Sequence, residues 1–152
     1  MKRSDDLRGL SDDHHRALIL AKRAKTAAAE CDPEAAKALW NNIRQEYDSH
    51  LARHFTLEET YLLPALRAVG AKESVDRVAR DHAALRRYVL EGQHSDRDLA
   101  SFAKLLSDHV RFEERELFPF AEENLAKTDL DRIAQAYKET DTGRPGEFND
   151  DI

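Results

Sequence analysis

The stretch His50–Ala65 reads HLARHFTLEETYLLPA, and Leu105–Phe120 reads LLSDHVRFEERELFPF. In register the two share Leu51/Leu106, His54/His109, Glu58/Glu113, Glu59/Glu114, Leu62/Leu117 and Pro64/Pro119. A spacing of four places His54 beside Glu58, and His109 beside Glu113, on one face of a helix. That face also collects Trp40, Ile43, Tyr47 and Tyr61 in the first case, and Phe102, Leu105, Leu106 and Phe120 in the second. The ionisable pairs therefore sit inside apolar stripes. Burying them unpaired is costly, and a cation would satisfy imidazole and carboxylate together. Two helices that each turn such a pair inward are a means of building a two-metal site in a helical bundle.

Working outward, the chain has 152 residues, enough for one domain with a single core. Five Gly and four Pro, among many Ala, Leu, Arg and Glu, favour helix over sheet. A net charge of −6 argues against a nucleic-acid partner, which requires a basic face. No apolar run approaches membrane-spanning length and the start MKRSDDLRGL lacks a signal-peptide core, so the expected location is cytoplasmic, with no membrane partner. The single cysteine, Cys31, excludes an internal disulfide and fits a reducing compartment.

Five helices are expected. Ser11 reads as the cap of the first, which runs to about Glu30, with Asp12 and Asp13 suited to its positive end. Asp32-Pro33 opens a long second helix that ends at Gly70, with a kink or local break expected at Pro64. The third runs from about Lys72 to Glu91 and stops at Gly92. The fourth follows Ser95, capped with Asp98, and meets Pro119 as the second meets Pro64. Thr128 with Asp131 starts a short fifth helix to about Lys138. The expected fold is all-α: an up-down antiparallel four-helix bundle over residues 11–140, with that fifth helix and a flexible tail over 141–152.

The first and third helices contribute single histidines. His15 opens HRAL and His82 opens HAAL, and this parallel favours His15 over its neighbour His14. The expected metal ligands are thus His15, His54, Glu58, His82, His109 and Glu113. Imidazole with carboxylate, and no thiolate, suits iron, zinc or manganese. Two carboxylates from facing helices can bridge two metals, leaving positions for a bridging oxo or hydroxo group and a small ligand. The one Glu three residues before a His is Glu91, ahead of His94 in the link at Gly92; none of the four helix-borne ligand candidates has one, which argues against the paired Glu-x-x-His pattern of ferritin-like carboxylate sites, and no HExxH is present.

HRAL at His15, HFTLEETYLLP from His54, DHAAL around His82 and HVRFEERELFP from His109 together resemble the hemerythrin-like, or HHE cation-binding, family over about residues 11–124. The resemblance implies a four-helix bundle with a non-haem di-iron centre, bridged by Glu58 and Glu113, that deals with oxygen, nitric oxide, peroxide or iron itself. The chain departs from the oxygen carriers of that family. Arg86 stands where they have a second histidine on the third helix, and Glu113 and Glu114 lie four and five residues after His109 where they have a single Asp at five. The pattern is closer to relatives linked to iron handling, nitrosative stress and iron–sulfur repair.

His50 lies one turn before His54 and reads as a supporting or packed histidine, with a fifth ligand as the alternative; His94 reads as solvent-exposed. Glu59 and Glu114 either point away from the metals or support their ligands. Three functions follow: a di-iron protein that binds, senses or reacts with a small oxidant; an iron-handling protein; or a metal-free helical module. The expected partner is a small molecule such as oxygen or nitric oxide, and no feature names a protein partner.

Overall fold

A computed structural model describes residues 3–91 and 95–142, with side chains through residue 140. Those residues form five helices and no strand. We label them α1 (Arg8–Glu30), α2 (residues 33–68), α3 (Lys72–Glu91), α4 (residues 96–124) and α5 (Lys127–Thr142). α1 lies along α4 for most of its length and also packs on α2, while α3 packs on both α2 and α4. None of the helices is long and apolar enough to cross a membrane.

Local chemistry explains most of the boundaries. The Asp32 carboxylate accepts the Glu34 amide at 3.0 Å with Pro33 in the first turn, and Ser95 Oγ accepts the Asp98 amide at 3.1 Å. α2 ends on Gly70 at φ 93°, where the Ala71 amide reaches back to the Leu66 carbonyl and the Gly70 amide to Arg67. That paired closure needs a left-handed residue, which glycine supplies without strain. α1, by contrast, starts at Arg8, so Ser11 is not its cap; the Ser11 hydroxyl donates to Glu114 instead. α5 starts at Lys127 and runs four residues past the expected end at Lys138. Gly92, His94 and the tail from residue 143 fall outside the described residues.

Neither Pro64 nor Pro119 breaks its helix. Each follows a widened π-helical turn, Glu58–Leu62 in α2 and Glu113–Leu117 in α4, in which the Leu63 and Phe118 amides bond five residues back. A proline has no amide to give and crowds the carbonyl four residues before it; one extra residue in the turn relieves both problems. The extra residue also turns the rest of the helix. Phe118 and Ala121 become buried, and Phe120, placed inward by straight helical periodicity, is exposed.

Two apolar clusters fill the interior. One holds Leu20, Trp40, Ile43, Phe55, Leu85, Phe102 and Leu106 among others, the other Leu10, Leu57, Leu66, Val78, Leu117, Phe118 and Ile133. Between them every long helix contributes ionisable side chains: α1 has His14 between Leu10 and Ala17, and α3 has His82 between Val78 and Leu85. α2 and α4 cross the same layer in the opposite order of clusters. Among the described residues the buried polar and charged side chains are six: His14, His54, Glu58, His82, His109 and Glu113. The sequence–structure link is thus a polar slice through an otherwise apolar core.

Candidate metal centre

The six buried residues converge from four helices. Glu58 spans His54 Nε2 at 3.1 Å and His82 Nε2 at 3.0 Å with its two oxygens. Glu113 likewise spans His109 Nε2 at 3.3 Å and His14 Nε2 at 2.7 Å. Their ligand atoms form two groups, His14/His54/Glu58/Glu113 and Glu58/His82/His109/Glu113, each with all atoms within 4.8 Å of one another. Both groups use both carboxylates. That is the arrangement needed for two cations joined by carboxylate bridges.

Every imidazole is fixed from behind by a carboxylate at Nδ1. Asp13 on α1 takes His54 on α2 at 2.9 Å, and Glu59 on α2 takes His82 on α3 at 2.7 Å. Asp81 on α3 takes His109 on α4 at 3.0 Å, and Glu114 on α4 takes His14 on α1 at 2.6 Å. The ring closes through all four helices. A carboxylate can only accept, so each Nδ1 carries a proton, and it is Nε2 that is turned inward and can give its lone pair to a cation. Such contacts orient metal-binding histidines and raise their basicity.

The inner atoms lack partners that satisfy them. His54, His82 and His109 Nε2, both Glu58 oxygens and Glu113 Oε2 are buried without a hydrogen bond. Orphaned lone pairs in a dry core are expensive, and a divalent cation meets all of them, so the donor set fits the metal. Without a cation the protons respond instead. Burial opposes charging His109, but Glu113 and the Asp81 hydrogen bond outweigh it and lift its pKa to about 10. His54 is lifted well above its ordinary range against the same burial cost, by Glu58 and Asp13. Glu113 is held well below the carboxylate range despite burial, by His109. These are the protons a cation would displace.

Five of the six expected residues come together here: His54, Glu58, His82, His109 and Glu113. His15 does not. It is exposed on the outer face of α1, and His14, one residue earlier, occupies the place assigned to it. The HRAL/HAAL parallel set the register one residue off; the dipeptide Asp13-His14 matching Asp81-His82 sets it correctly. Each Asp-His pair sends its His inward and its Asp to the neighbouring helix, a role that the helix-end reading of Asp13 missed and that the sequence reading did not give to Asp81. Glu59 and Glu114 turn towards the cluster and hold His82 and His14. Arg86 does not enter the centre; it grips both Glu59 oxygens at 2.8 and 2.9 Å, and with His82 holds that carboxyl down at about 2 despite its partial burial. His50 stands outside both ligand groups, half-buried near Glu46.

Aromatic rings pack against two of the histidines. Phe55 stacks on His82 with ring centres 4.0 Å apart, and Phe118 lies parallel to His14 at 5.2 Å. Among known families, the model of the hemerythrin HHE cation binding domain matches residues 5–121. No curated protein and no solved structure is matched.

Proposed function

The chain belongs to the hemerythrin HHE cation-binding family, and from that premise we propose that it holds two non-haem iron ions and binds, senses or reacts with a small oxidant such as oxygen, nitric oxide or peroxide. The observation that carries this reading is the sharing of Glu58 and Glu113 by two ligand groups, with buried lone pairs that nothing else satisfies. The ligands are His14, in place of His15, with His54, Glu58, His82, His109 and Glu113. Zinc or manganese would suit the same donors. Iron, when bound, supplies electron transfer and positions for a small ligand.

The residues do the rest. The ring of Asp13, Glu59, Asp81 and Glu114 keeps each Nδ1 protonated and each Nε2 aimed inward. Phe55 and Phe118 exclude water, so charge on the bridging carboxylates is felt strongly. The two helix pairs fit an up-down antiparallel four-helix domain over about residues 11–140, acting without nucleic acid or membrane in the cytoplasm.

Anaerobic loading with ferrous iron, metal counting, and absorption spectra before and after oxygen test the reading. Two irons per chain with new near-ultraviolet bands are expected; substoichiometric, spectrally silent loading would refute it. Iron donation or storage is the rival. It is favoured by Glu59 and Glu114, which lead from partly exposed positions to His82 and His14. Rapid loss of iron to a modest chelator would select that rival, and an inert centre would exclude it.

A further inference from the structure

The two helix pairs differ where their seams meet solvent. In the register set by the two Asp-His pairs, Ala17 on α1 corresponds to Leu85 on α3, and Arg16 to Ala84. In the register of the two repeated phrases, Glu46 corresponds to Ser101 and His50 to Leu105. Leu85 is buried and Leu105 packs on the same cluster, so the α3–α4 half has apolar side chains at both positions. In the α1–α2 seam the short Ala17 leaves two adjoining voids of about 10 Å³ each. Each has room for about one water-sized molecule. The inner void borders His14, His54 and His109; the outer borders Arg16, Glu46 and His50; Asp13, Ala17, Leu51 and His54 line both.

The outer end has a distinctive build. Arg16 Nε and Nη2 donate to the two Glu46 oxygens at 2.7 and 2.8 Å across the outer void. The Arg16 side chain is nearly half exposed, so this pair adds little to stability. Behind it His50 Nδ1 is buried with no hydrogen bond, 3.5 Å from Glu46. His50 and Leu51 ride on a third π-helical turn, Tyr47–Leu51, which unlike the other two has no proline after it to explain the widening. Such turns recur where a helix serves a site.

We propose that this seam is the passage by which small ligands reach the centre, and that the Arg16–Glu46 pair closes its outer end. Each void takes about one water-sized molecule, so a small ligand passes as neighbouring side chains shift, and His50 is the polar group it meets on the way. Opening requires Arg16 to swing off Glu46 into solvent and leaves the helices in place. The passage rests on the metal centre proposed above.

The test is stopped-flow binding of nitric oxide, a neutral probe, to the ferrous-loaded chain, with iron counted in the same samples. Arg16→Ala and Glu46→Gln each raise association and dissociation rates together, up to about fivefold, and leave the affinity unchanged. Ala17→Leu, which copies Leu85, slows both rates by roughly tenfold. Should Ala17→Leu fail to fold, the two outer variants still decide. Unchanged rates in Arg16→Ala and Glu46→Gln at full iron content overturn the closure, and an unchanged rate in Ala17→Leu overturns the passage. A parent chain that holds no iron removes the centre and the passage together, and the iron count tells that failure apart.

Discussion

In the α1–α2 half, Asp13 holds His54 and is itself held by the Tyr137 hydroxyl at 3.0 Å; in the α3–α4 half, Asp81 holds His109 and faces Arg77 at 3.8 Å. Glu114 leans on Arg3 and Ser11, whereas Glu59 is gripped by Arg86. The inner residues are near copies between halves, while one contact further out the partners come from different positions, and Tyr137 and Ser11 are hydroxyl partners found on one carboxylate of each kind. Ligand geometry tolerates few solutions, so both halves reach the same one. Support and packing tolerate many, and each half has its own.

The shared carboxylates offer the most severe way to break this comparison. Glu58→Gln or Glu113→Gln should deplete both metal positions, because each residue belongs to both ligand groups. Metal counting on the purified variants decides: a variant that loses one metal and keeps the other would show that its carboxylate serves a single half.

Next in size is the pH response of the metal-free chain against the loaded one. His109 is raised from 6.5 to about 10, so the stability it gives is whole below pH 6.5 and fades as pH climbs towards 10. Glu59 is lowered from 4.5 to about 2, so its contribution is whole above pH 4.5 and is lost as pH falls towards 2. Metal-free protein should therefore be most stable between about pH 4.5 and 6.5. In loaded protein the imidazoles carry metal in place of the inner proton, and the alkaline loss should vanish while acid releases the metal. Thermal melts of both forms across this range check it; parallel profiles would contradict the exchange of protons for metal.

The outer carboxylates sharpen the comparison by acting on one half each. Asp13→Asn should weaken metal holding through His54, and Asp81→Asn through His109, each by about 10–100-fold. Chelator competition reads both. Equal loss from both positions in either variant would mean that the halves are coupled more tightly than their separate supports suggest.

How far the sequence reveals this arrangement depends on periodicity. The repeat His-x-x-x-Glu-Glu is legible because four-residue spacing on a helix is local, and it correctly brings His54, Glu58, His109 and Glu113 together. His82 was read from the parallel of HAAL with HRAL, and it too joins the cluster. His14 and His15 are adjacent, and only a partner distant in the sequence, Glu114 on α4, shows which one turns inward. Phe120 was placed by a straight 3.6-residue period that the π-turn before Pro119 interrupts. Asp13 and Asp81 were hidden because their partners lie on other helices, beyond the reach of any local spacing.

The smallest expected effect tests the contact with no counterpart in the other half. Tyr137 comes from α5, which lies against α1 and α2, and its ring comes close to Gly9: a Cβ there would fall 2.5 Å from the Tyr137 ring. Its hydroxyl donates to Asp13 Oδ1, leaving Oδ2 for His54. Tyr137→Phe removes a hydrogen bond to a charged group and should cost about 1–2 kcal/mol of stability. Asp13 keeps His54 and the Arg53 guanidinium at 3.8 Å, so metal affinity should fall by less than in Asp13→Asn, and only on the His54 side. Gly9→Ala should reproduce the loss by pushing the ring away rather than removing the hydroxyl. If Gly9→Ala lowers stability while Tyr137→Phe leaves both stability and affinity untouched, α5 acts on the centre by packing alone, and the difference between the halves ends at Asp13.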